Sequence, residues 1–102
     1  MKLLVVTSLK EYQKNVAKIF EQAGISVFSV SDTIGFKENS APNLIDEWFG
    51  AGTDHFDSIF LFSFTEDANA DHAIELIKEY NTVEDSQFPI RAFILPVEKS
   101  TY

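Results

Sequence analysis

Two histidines stand beside carboxylates in this sequence, as Asp54-His55 and Asp71-His72. Imidazole and carboxylate together are ligands for a divalent ion. His55 and His72 are therefore the candidate metal ligands. No His-x-x-x-His spacing supports them, and the plainer reading is solvated polar groups near helix and loop ends. Serine, histidine and aspartate all occur, yet nothing in the spacing sets a nucleophile beside a base. The glycine patterns of P-loops and dinucleotide folds are missing as well. No catalytic residue is nominated, and a non-enzyme is expected.

The segment "GFKENSAPNLIDEWFGAGTDHF" offers a different chemistry. It lies in a connection of about 35–57 that is far longer than a hairpin needs, and such connections usually carry function. Asn43 can cap a short helix in which Leu44, Ile45, Trp48 and Phe49 share one face. That face could dock on a protein partner, since tryptophan is enriched at binding hot spots. Alternatively, the same rings pack on the chain's own sheet or on a neighbouring subunit.

The elements that must position these residues follow from the pattern of apolar residues. The 102 residues read as one domain, 1–102. Leu3 to Val6 is a buried strand. Ser8 and Glu11 form a capping box, and Leu9, Tyr12, Val16, Ile19, Phe20 and Ala23 make one helical face that Gly24 ends. Ile25 to Ser31 reads as a second strand and Ser58 to Thr65 as a third. A second helix, capped by Asp67 or Asn69, carries the stripe Ala70, Ala73, Ile74, Ile77 and Tyr80. Ile90 to Leu95 is the last strand, closed by Pro96. The order is βαββαβ, the ferredoxin-like α+β sandwich: an antiparallel sheet with two helices on one face.

Such a sheet has one face open, and its strands should alternate apolar and polar residues. These do not. Phe60, Phe62 and Phe64 oppose Ile59 and Leu61, and Phe93 and Leu95 oppose Ala92 and Ile94. The second face therefore needs a cover, either another subunit or the chain's own 32–57 segment. A homo-oligomer is expected. A formal charge of −8 disfavours nucleic acid as a partner. No stretch is apolar enough to span a membrane, so no insertion is expected. The amino-terminal residues lack a signal-peptide core, which predicts a cytoplasmic protein. Cysteine is absent, so no redox compartment can be read.

"AGISVFSVSDTIGF", Ala23 to Phe36, and "AFILPVE", Ala92 to Glu98, together resemble the PII nitrogen-regulatory signalling family. In that family a helix ends in Ala-Gly, the next strand reaches Gly-Phe at the root of a long loop, and the last strand runs into Pro-Val-Glu. The order of elements agrees along nearly the whole chain. The resemblance implies a trimer with its sheets packed inward, small-ligand sensing at clefts between subunits, and a loop over 35–55 that grips a transporter or an enzyme. It marks Gly35, Phe36, Lys37 and, by position, Arg91 as ligand-binding candidates. The family's glycine- and lysine-rich phosphate loop is replaced here by "YNTVEDSQFPIRAF", which carries Glu84 and Asp85. ATP binding in the family's manner is therefore not expected, and the ligand is not identified. Two other readings stay open: an oligomeric divalent-metal-binding accessory protein linked to metal tolerance, and a ligand-free interaction module.

Overall fold

The computed structural model describes residues 1–38 and 53–101. Its elements are β1 (Lys2–Leu9), a 3-10 turn (Lys10–Tyr12), α1 (Gln13–Gln22), β2 (Ser29–Glu38), β3 (Thr53–Thr65), α2 (Asp67–Glu84) and β4 (Arg91–Pro96). The strands form one antiparallel sheet in the order β2-β3-β1-β4. Both helices cover one face. This is the ferredoxin-like βαββαβ fold.

Strand parity sets the core. Successive side chains point to opposite faces. In β1 this sends Leu4, Val6 and Ser8 toward the helices, where their cross-strand partners in β3 are Ser63, Leu61 and Ile59. Val16, Ile19 and Phe20 of α1 and Ala73 and Ile77 of α2 complete this buried layer. Ala70 of α2 is fully buried too. Gly24 leaves α1 at φ +81, the left-handed exit that suits glycine. Neither expected helix cap forms. Ser8 is still in β1, and its hydroxyl donates to the Leu9 carbonyl. Glu66 caps α2 without a side-chain bond, and Asn69 instead lies against Gly24.

The largest departure concerns β2, expected at Ile25 to Ser31. Ile25 is buried in the core, but the strand begins at Ser29 and runs to Glu38. Likewise β3 starts at Thr53 rather than Ser58. The connection expected over 35–57 is thus laddered at both ends. The described parts of the segment offered as a self-cover, 32–38 and 53–57, extend the sheet in its own plane.

The open face is divided along its length. One end is apolar: Leu3 and Val5 of β1 pair with Phe64 and Phe62 of β3 and with Leu95 and Phe93 of β4. Phe64 and Phe93 are each 54% exposed and Leu95 43%. At the other end stand Thr7, Ser58, Thr33 and Arg91. The expectation of two apolar faces fails along β2, which presents Ser29, Ser31 and Thr33 on this side, opposite Phe62, Phe60 and Ser58. Among the described residues, no helix is long and apolar enough to cross a membrane.

Candidate functional site

The cleft at the polar end arises because the strands end at different places. β1 leaves the sheet after Leu9, whose partner is Ser58, while β3 runs on and pairs only with β2 from Asp57 to Thr53. The connection from α2 to β4 closes the other side of the notch. A cleft of about 440 Å³ results. It gathers Gly35, Phe36 and Arg91, three of the four ligand candidates named from the sequence. Lys37 follows in the β2 ladder, opposite Asp54. Leu44, Ile45, Trp48 and Phe49 lie outside the described residues.

Sequence reasoning did not nominate the cleft's two other rings, Phe56 and Phe88, or its polar groups Thr7, Ser58 and Gln87. The register held one signal. Gly35 is opposite Phe56, and glycine in a strand often marks close approach by another group. The Phe56 ring lies over Gly35 so closely that an added Cβ would come within 2.3 Å of it. Phe56 also meets Phe88 at 4.8 Å between ring centroids, tilted by 58°. Phe36 is 69% exposed, and its ring stands 6.0 Å from that of its cross-strand partner His55.

Several bonds hold the α2–β4 connection in place. α2 ends at Asp85 in a left-handed conformation, φ 45, which aspartate tolerates better than most residues. The Ser86 oxygen accepts bonds from the Phe88 N–H at 3.0 Å and from the Tyr12 hydroxyl at 3.1 Å. The Asn81 side chain donates to the Ile90 carbonyl at 2.8 Å and accepts the Ile90 N–H at 2.9 Å. That amide acts as a short strand partner and fixes where β4 begins. Arg91 follows directly, across from Thr7. It is exposed and has no ion-pair partner among the described residues. Ser58 adds a hydroxyl to the lining, and it shares a 2.6 Å bond with its cross-strand neighbour Thr33.

The two histidines do not converge within one chain. His55 lies near the start of β3, about 30 Å along the strand from Thr65 by the rise per residue. α2, which carries His72, begins just beyond Thr65. No group of three or more His, Asp or Glu side chains gathers at a possible metal position among the described residues.

Comparison with known proteins adds the fold's affiliation. No protein-family profile matches the chain, and no curated protein matches it in sequence. Among solved structures it is similar to a candidate PII-like signalling protein from Thermus thermophilus, with a TM-score of 0.63. The match covers 91% of this chain and 82% of that one, at 13% sequence identity. The fold is shared with a PII-like protein. The ferredoxin-like scaffold thus agrees with the resemblance seen in "AGISVFSVSDTIGF" and "AFILPVE". In this PII-like fold Gly35 and Phe36 stand on β2, within the ladder that leads into the long connection.

Gly35 gives a direct test of the cleft's shape. Gly35→Ala should displace the Phe56 ring, because the nearest atoms are the far edge of that side chain. The displaced ring should perturb the Phe56 and Phe88 ring signals in NMR, with a melting shift of only a few degrees. Unchanged ring signals would show that Phe56 does not rest on Gly35.

Proposed function

We propose that this chain is a PII-like regulatory protein that acts by binding, not by catalysis. It forms a homotrimer through the apolar end of its open sheet face. It senses a small ligand at the Gly35–Phe36–Arg91 cleft and reports the ligand through the 35–55 segment to a protein target, a transporter or an enzyme. One observation carries this reading. The cleft that collects the sequence-nominated residues opens beside the sheet face that is too apolar to be left bare. A ligand there would touch the same sheet that the subunits share, and the β2–β3 ladder leads from it into the long connection.

ATP is not the ligand expected. A phosphate cradle needs backbone N–H groups aimed outward. In the α2–β4 connection the Asp85 N–H is bonded to the Asn81 carbonyl, that of Phe88 to Ser86, and that of Ile90 to Asn81. Pro89 has none to give. Glu84 and Asp85 add negative charge nearby.

Light scattering coupled to size exclusion should give three times the chain mass, and a clean monomer would remove the assembly half of this reading. Thermal-shift screening against nucleotides, small anions and divalent metals tests the sensing half. A ligand at 100 times its Kd adds about 2.7 kcal/mol, and the shift should shrink in Arg91→Gln. For the partner surface, Trp48→Ala should weaken capture of the target and leave the trimer intact. Loss of the trimer in that variant would assign Trp48 to the assembly instead.

A further inference from the structure

The cleft's chemistry is more specific than a generic small-ligand site. Its cationic side chain among the described lining residues is Arg91, set on a sheet position beside the Thr7 hydroxyl. Its apolar wall is the tilted pair Phe56 and Phe88. Two of the connection's backbone donors, those of Phe88 and Ile90, are committed to the Ser86 and Asn81 side chains, and Pro89 has none. A single guanidinium matches a single carboxylate, which it can hold through two parallel bonds. It is a poor match for a polyphosphate, whose several charges exceed what one guanidinium can balance in a chain of formal charge −8.

We propose that this cleft takes a small monocarboxylate with a flat apolar body and rejects nucleotide phosphates. The carboxylate sits on Arg91 with the Thr7 hydroxyl beside it, and the body lies against Phe56 and Phe88. This assignment rests on the reading of the cleft as the sensing site and names the ligand class for it.

Benzoate is a minimal probe, with benzamide as its neutral counterpart and ATP as the nucleotide. Each is titrated into the full-length protein while the backbone signals of Gly35, Phe88 and Arg91 are followed by NMR. Benzoate should move all three signals and bind at least about tenfold more tightly than benzamide, the difference one charge-assisted pair supplies. Arg91→Gln should erase that preference; the residue is exposed, so the fold should persist. Phe88→Ala should weaken benzoate and benzamide alike. Equal affinity for benzoate and benzamide would overturn the proposal. So would ATP binding more tightly than benzoate at these signals, although the cleft would then remain a sensing site for another ligand class. Silence toward every probe here and throughout the thermal-shift screen would remove the sensing reading as well.

Discussion

Leu61→Asp should leave the chain unfolded at neutral pH, while Phe62→Asp should leave it folded but monomeric. The two residues are neighbours on β3 and point to opposite faces. Leu61 is fully buried beneath the helices, between its cross-strand partners Val6 and Val30. The buried cluster around it is apolar among the described residues, and burying a carboxylate there costs several kcal/mol or forces it to take up a proton. Added to the cavity left by the lost leucine, that approaches the ~5–15 kcal/mol total stability of a typical domain. The buried carboxyl's pKa would be raised above its unfolded value. The penalty should therefore be full above that raised pKa, ease as pH falls from it toward the ordinary aspartate range, and change no further below that range. Phe62, by contrast, sits on the open face between Phe60 and Phe64, with ring centroids 5.8 and 6.3 Å away. An aspartate there stays in water in the isolated chain and becomes costly only when a second sheet covers it. Circular dichroism and light scattering on the two variants separate these effects. A folded Leu61→Asp would refute the assignment of faces. A trimeric Phe62→Asp would place the assembly surface elsewhere.

Which parts of this molecule were legible in the sequence follows from how each part is stabilised. The stripe of α1 was legible because its burial is periodic: Val16, Ile19, Phe20 and Ala23 recur at three and four residues, and all are buried. The stripe of α2 was legible for the same reason. The ends of strands were not, because an apolar run stops where burial stops and the hydrogen-bond ladder does not. β1 continues through Thr7 and Ser8 to Leu9. β2 was misplaced by the apolar letters of "ISVFSV". Ile25 and Phe28 belong to the exit from α1, where Phe28 packs edge-on to Phe20 at 4.9 Å. The true strand is the more polar "SVSDTIGFKE". It alternates, with Val30, Ile34 and Phe36 on one face and Ser29, Ser31, Thr33 and Gly35 on the other, so no continuous apolar run marks it.

The candidate site was legible only through resemblance. Gly35 and Phe36 were marked by a dipeptide, and Arg91 by its place ahead of the last strand. Phe56 and Phe88 were hidden because their meeting depends on two features that are not periodic. One is the register that puts Phe56 over Gly35. The other is the turn at Asp85 that brings Phe88 back to the end of the sheet. That turn follows directly on the end of α2 at Glu84.

Asn81→Ala should produce the second large loss, and it connects stability to the cleft. Asn81 is only partly buried and lies near the end of α2, where sequence alone gives it no special weight. Its side chain satisfies both backbone groups of Ile90, which is 2% exposed. Buried backbone groups left without partners each cost about 1–3 kcal/mol; because Asn81 is only partly buried and water can replace part of the loss, removing the amide should cost roughly 2–4 kcal/mol in all. For a domain of this size each kcal/mol lowers the melting temperature by about 4–8 °C. The expected fall is therefore about 8–32 °C, far more than a partly exposed polar residue normally gives. Hydrogen exchange at the Ile90 amide should accelerate more than at Val6 or Leu61, since the bond lost is local to the start of β4. Arg91 comes immediately after Ile90, and Phe88 and Pro89 immediately before. A loosened Ile90 should thus weaken any ligand held by Arg91 and Phe88 even at temperatures where the variant is fully folded. A melting temperature within a few degrees of wild type, with Ile90 still protected, would mean that the amide does not fasten β4. The rigid placement of Arg91 in the cleft would then need another cause.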